Sequence, residues 1–164
     1  MRVLFCHGLE GSPLGTKVRT MRAAGVDVLA PDFQGQVLAQ RWTTLNTVLQ
    51  GIPANTPLLL AGSSYGGALA AWAAMHHPGR FSGLLLLAPA LHHAEPPVPS
   101  PDAYRPVPLP TIIIHGIHDD IVPIEASERY AALAAHVHLR RTDDGHRLAN
   151  SLDTMLVAIR ELSA

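Results

Sequence analysis

Two runs, Leu58-Leu59-Leu60-Ala61 and Leu84-Leu85-Leu86-Leu87, lack any polar alternation. A strand with one face in water would need that alternation, so these segments read as strands covered on both faces, the kind that build parallel sheets between layers of helix. Four more short segments are rich in Val, Ile or Leu: residues 1–6, 26–30, 110–115 and 136–140 join 57–61 and 82–88 as six predicted strands. The stretches between them carry helical spacing. Thr16 to Ala24 closes at Gly25, and the Leu38, Trp42, Leu45, Leu49 stripe closes at Gly51, both natural C′ positions. Tyr65 to His77 is nearly apolar all round, as expected of a helix in the middle of a layer. Pro123 opens another helix, and the last carries Leu148, Leu152, Met155, Leu156 and Ile159. The alternation predicts an α/β fold, a three-layer α/β/α sandwich on a mostly parallel sheet of about six strands. At 164 residues it fits one domain, 1–164.

Composition then narrows the function classes. Twelve Lys and Arg against 13 Asp and Glu leave a net charge of −1 with no basic run, which excludes nucleic acid as the expected partner. The apolar start is broken at His7-Gly8, too short for a signal h-region or a membrane span of about 20 residues; a cytoplasmic protein with no membrane insertion is expected. Cys6 is the only cysteine, so no internal disulfide or CxxC metal knuckle can form. Half of the 14 prolines fall between Pro96 and Pro110; this segment reads as a stiff surface loop between two strands. Nothing in the pattern sets an oligomeric state.

The chemistry concentrates in Gly62-Ser63-Ser64-Tyr65-Gly66, a G-x-S-x-G between a buried strand and a helix. A serine presented on such a sharp turn needs room two residues to either side, which Gly62 and Gly66 supply. Ser64 then needs a general base, and the base an acid that fixes its tautomer. Of ten histidines, His146 stands in a turn after the last strand, Asp143-Asp144-Gly145-His146, where an open α/β sheet builds its sites. His76-His77 ends the helix after the serine turn and reads as a helix-end cation pair; His136 and His138 share one face of a strand. The acid belongs in His115-Gly116-Ile117-His118-Asp119-Asp120, and the residues alone leave Asp119 and Asp120 as equal candidates. A tetrahedral intermediate also needs N–H donors for its oxyanion. The backbone of Tyr65 is one candidate and that of Leu9, in the glycine-rich loop His7 to Pro13, the other. A phosphate-loop reading of Gly11 to Lys17 lacks the contiguous G-K-[ST]. A metal site at His115, His118, Asp119 and Asp120 lacks the helical i, i+4 pair.

Together these residues resemble the α/β-hydrolase superfamily along nearly the whole chain, and within it small, cap-less YqiA-like bacterial esterases. His7-Gly8 resembles the oxyanion H-G, Gly62 to Gly66 the nucleophile elbow, His115-Gly116-x-x-Asp119-x-x-Val122-Pro123 the acid segment, and Gly145-His146 the base. The opening His7-Gly8 through Ser12-Pro13 to Lys17 is similar to that of the small esterases, and Ala30-Pro31-Asp32 with Gly35 to the stretch after the second strand. The resemblance selects Asp119 over Asp120. It implies a reduced hydrolase fold without the first two strands and without a cap, in the family's strand order 4-3-5-6-7-8, with 96–110 where a cap would be inserted. It also implies an open pocket suited to small or surface-bound esters and thioesters, a Ser64-His146-Asp119 triad, and no cofactor or metal. His7, His92 and His93 are candidate pocket residues. The competing expectation is a binding protein on the same scaffold, with the proline-rich loop as a polyproline docking element.

Overall fold

The computed structural model describes residues 1–164. Its six strands are β1 (Arg2–Cys6), β2 (Asp27–Leu29), β3 (Leu58–Ser63), β4 (Gly83–Leu87), β5 (Thr111–Gly116) and β6 (Val137–Thr142). They form one sheet in the order β2-β1-β3-β4-β5-β6, and every neighbouring pair is parallel. That is the order expected from the resemblance. The helices are α1 (Thr16–Ala23), α2 (Leu38–Gln50), α3 (Tyr65–His76), α4 (Ile124–Ala132) and α5 (Leu152–Ser163).

The period-2 geometry of the strands explains the unbroken leucine runs. Leu58 and Leu60 of β3, with Leu84 and Leu86 of β4, pack into a core under α2, α3 and α4. Leu59, Ala61, Leu85 and Leu87 point the other way, into a second core with Val18 of α1 and Met155 and Ile159 of α5. Fully burying one such leucine is worth about 1.5–3 kcal/mol, so each run anchors both layers at once. The chain moves from β1 outward to β2, then crosses back over β1 to β3 and continues to β6. The carboxyl ends of β1 and β3 therefore flank the point where the winding reverses, where a crevice opens in such sheets.

Three expectations are corrected. The last helix begins at Leu152, and Leu148, placed in it by periodicity, is a buried turn residue at φ +54°. The segment 96–110 holds a 3₁₀ turn at Pro101–Ala103 and is partly internal: Val98 and Tyr104 are buried, and the Tyr104 hydroxyl donates to the His93 carbonyl at 3.1 Å. His77 is not half of a cation pair, because burial lowers its pKa and its Nε2 lies 2.8 Å from Asn46 Oδ1. No helix is long and apolar enough to cross a membrane.

Candidate active site

Ser64 sits between β3 and α3 at φ +54° and ψ −117°, a backbone region that costs a non-glycine residue roughly 1–3 kcal/mol. The turn holds this strain through close backbone packing. A Cβ on Gly66 would lie 2.1 Å from the Cys6 carbonyl oxygen, and one on Gly62 would lie 2.2 Å from the Gly66 oxygen. Glycine is thus required on both sides of the serine for a steric reason, and the same contact seats α3 against the end of β1.

The Ser64 hydroxyl meets His146 Nε2 at 3.0 Å, and His146 Nδ1 meets Asp119 Oδ2 at 2.8 Å. Three loops bring them together, those after β3, β6 and β5. The last two pack so closely that a Cβ on Gly116 would fall 2.2 Å from the Asp144 carbonyl oxygen. Asp119 has no exposed side-chain surface. Burial pushes its carboxyl pKa up, but the N–H groups of Val122 and Ile121, donating to Oδ1 at 2.8 and 2.9 Å, and His146 outweigh that and hold it below the usual carboxylate range. The acid is therefore an anion, its Oδ2 aimed at the imidazole. Asp120 is exposed, and Asp119 is the aspartate of this loop that meets His146.

His115 and His118 take other partners. His115 is wholly buried, its Nδ1 2.8 Å from Ser127 Oγ and its Nε2 3.1 Å from both the Val122 carbonyl and Asp119 Oδ2. Nε2 carries the proton and donates it to the Val122 carbonyl, so the buried ring stands beside Asp119 with its N–H committed elsewhere. His118 Nε2 turns outward to Asp143 at 2.8 Å.

The His146 turn has its own brace, which the sequence analysis missed. Asp144 accepts from the Gly145 and Asn150 N–H groups and the Ser151 hydroxyl, each at 2.8 Å. Lys17 Nζ donates to the Arg147 carbonyl at 2.7 Å, so the lysine of the would-be phosphate loop tethers this turn instead.

Of the candidate pocket residues, His7 does not line the site. It is buried, its Nε2 accepts from the Phe33 N–H at 2.9 Å, and its Nδ1–H donates to the Gly8 carbonyl at 2.8 Å; burial lowers its pKa. His92 and His93 are exposed after β4, with His93 Nε2 3.2 Å from Glu95 Oε1. The loop from His7 to Gly15 passes directly by the serine: a Cβ on Gly8 would lie 3.6 Å from Ser64 Cβ. Leu9 follows with its side chain 63% exposed, and Tyr65 N–H begins α3 on the other side.

The site also contains Arg41, which the sequence analysis passed over. It falls between Leu38 and Leu45 on the apolar stripe of α2 and has 0% exposure. A lone cation in a buried helical stripe was the signal that could have found it, since such residues are rarely inside without partners.

No protein-family model and no curated protein matches the sequence. Solved structures do match. A protein of Xanthomonas campestris pv. campestris, described as belonging to the alpha/beta hydrolase superfamily, is 25% identical with a TM-score of 0.81, over 98% of this chain and 96% of its own. Est1E from Butyrivibrio proteoclasticus is 21% identical at TM-score 0.80, over 99% and 86% of the two chains. A structure from work on LipS and LipT, two metagenome-derived lipolytic enzymes, is 20% identical at TM-score 0.75, over 99% and 91%. The chain has the α/β-hydrolase fold, as the resemblance implied. Its structural neighbours are hydrolases and esterases of that superfamily.

Proposed function

We propose that the protein is a serine hydrolase that cleaves carboxylic esters or thioesters through an acyl-enzyme. The observation that carries this reading is the unbroken hydrogen-bond chain from buried Asp119 through His146 to a strained, projecting Ser64. Ser64 Oγ attacks the acyl carbon while His146 Nε2 takes its proton, and Asp119 stabilises the imidazolium that results. The oxyanion is held by the N–H groups of Leu9 and Tyr65. Collapse expels the alcohol or thiol with the proton from His146. Water, deprotonated by the same nitrogen, then releases the acid and restores the serine.

The surroundings favour an uncharged, apolar acyl group. Leu9 and Leu14 after β1, Val37 after β2, and Ile117 and Ile121 after β5 are all exposed on loops at the carboxyl ends of the strands. Est1E is known with ferulic acid bound, and LipS and LipT are described as lipolytic, in line with carboxylic esters here. The scaffold-only alternative is disfavoured because the proline-rich segment is packed onto its own protein.

The test is the initial rate on p-nitrophenyl esters from acetyl to palmitoyl, with labelling by a fluorophosphonate, for the wild type and Ser64→Ala. The wild type should turn over and label, and the variant should lose label and about 10⁴–10⁶ in kcat. Equal turnover by the two proteins would remove Ser64 from the mechanism.

A further inference from the structure

We infer that Arg41 is a positioning residue for the oxyanion hole, holding the Gly8–Leu9 peptide plane so that the Leu9 N–H faces the reacting centre. The inference rests on the serine-hydrolase reading above and extends it to a residue on a helix outside the triad. A trans peptide is planar, so its C=O and N–H point in opposite directions. Whatever fixes the Gly8 oxygen therefore aims the Leu9 N–H. Three donors converge on that oxygen: His7 Nδ1 at 2.8 Å, Gly11 N at 3.1 Å and Arg41 Nη2 at 3.3 Å. Arg41 also grips the preceding carbonyl, with Nη1 2.7 Å from the His7 oxygen, and its Nε donates to the Gln36 carbonyl at 3.1 Å. The fork thus clamps two successive peptides of a loop whose glycine can rotate with little steric resistance.

The same guanidinium reaches the other half of the hole. Its central carbon lies 4.6 Å from the centroid of the Tyr65 ring, a cation–π contact with the residue whose N–H is the second donor. Tyr65 is held from beyond by its hydroxyl, which donates to Glu95 Oε1 at 2.5 Å, and Glu95 Oε2 in turn accepts from the Leu38 N–H at the start of α2 at 3.4 Å. One buried cation therefore joins the two backbone donors through separate contacts. Donation to the Gly8 oxygen also polarises that peptide, strengthening its N–H as a donor. A leucine would complete the stripe of α2 more cheaply than a buried charge, and the clamp gives the arginine its reason.

The experiment compares wild type with Arg41→Lys and Arg41→Gln, with kcat expressed per site titrated by a fluorophosphonate so that loss of folded protein is divided out. An ammonium cannot span three carbonyls, so both variants should lose tenfold to a hundredfold in kcat per site with KM within threefold. This is part of the about 10²–10³ associated with removing an oxyanion donor. An alkyl trifluoromethyl ketone, whose hemiketal oxygen occupies the hole, should bind more weakly by the same factor, and the uncharged product alcohol should bind unchanged. A kcat per site within threefold of wild type, with the ketone still bound tightly, would overturn the role of Arg41 and leave the hydrolase standing. A wild type that neither labels nor turns over any ester would overturn the hydrolase reading and this inference with it.

Discussion

Asp119→Asn isolates the tautomer on which the reaction depends. In the wild type, Oδ1 accepts from the Ile121 and Val122 N–H groups at 2.9 and 2.8 Å, and Oδ2 faces His146 Nδ1 at 2.8 Å. The variant's amide can place its single oxygen at only one of these positions. Turning its NH2 toward the two backbone donors would leave both unpaired in a fully buried site, at about 1–3 kcal/mol each. The oxygen therefore stays with the loop and the NH2 faces His146. The imidazole answers by accepting at Nδ1 and carrying its proton on Nε2, which points at Ser64 Oγ. In that tautomer it cannot take the serine proton. The expected loss in kcat is about 10⁴, the scale of this substitution in other triads, or about 5.4 kcal/mol at 1.36 kcal/mol per decade. The assay is kcat on the best p-nitrophenyl ester, normalised to folded protein, beside Asp120→Asn as a control. Asp120 is exposed and its variant should stay within twofold of wild type. A loss smaller than tenfold in Asp119→Asn, or equal losses in both variants, would refute the assignment.

Two further outcomes concern stability. Ser64→Gly should be more stable than Ser64→Ala by about 1 kcal/mol, or roughly 2–4 °C in Tm, because glycine relieves the φ +54° strain that alanine retains; thermal melts of equal Tm would show that the turn stores none. Asp119 and Asp144 are both held below the usual carboxylate range, burial being outweighed by the hydrogen bonds each accepts. A depressed folded-state pKa stabilises at pH values above the ordinary value near 4, and that contribution fades as pH falls through it toward the folded value. Urea midpoints should therefore drop between about pH 5 and pH 3, and less steeply in Asp144→Asn; an unchanged slope would exclude Asp144 from the effect.

Much of the fold was legible because it depends on local pattern. Unbroken leucine runs and 3.6-period stripes respond to burial that the chain itself encodes, so six strands and five helices fell within a few residues of their places. The G-x-S-x-G turn was legible because its residue pattern lies within five positions, although the crowding at Gly66 comes from the Cys6 carbonyl at the end of β1. Leu148 escaped because its helical spacing was overridden by a turn that Asp144 ties down with three hydrogen bonds. Asp119 could not be separated from Asp120 by residue type, since both are carboxylates in one loop. A family likeness chose between them, and only the packed loop displays the physical difference, two N–H groups closing on one carboxylate and none on the other. His7 looked like a pocket residue because sequence gives its position in a loop and not the direction of its ring. Arg41 was invisible as a partner of the oxyanion loop for the deeper reason: its contacts with His7 and Gly8 span 34 and 33 residues. Secondary-structure periodicity carries no information about a pairing at that separation. It exists only once β1, α2 and α3 have been brought to the same end of the sheet.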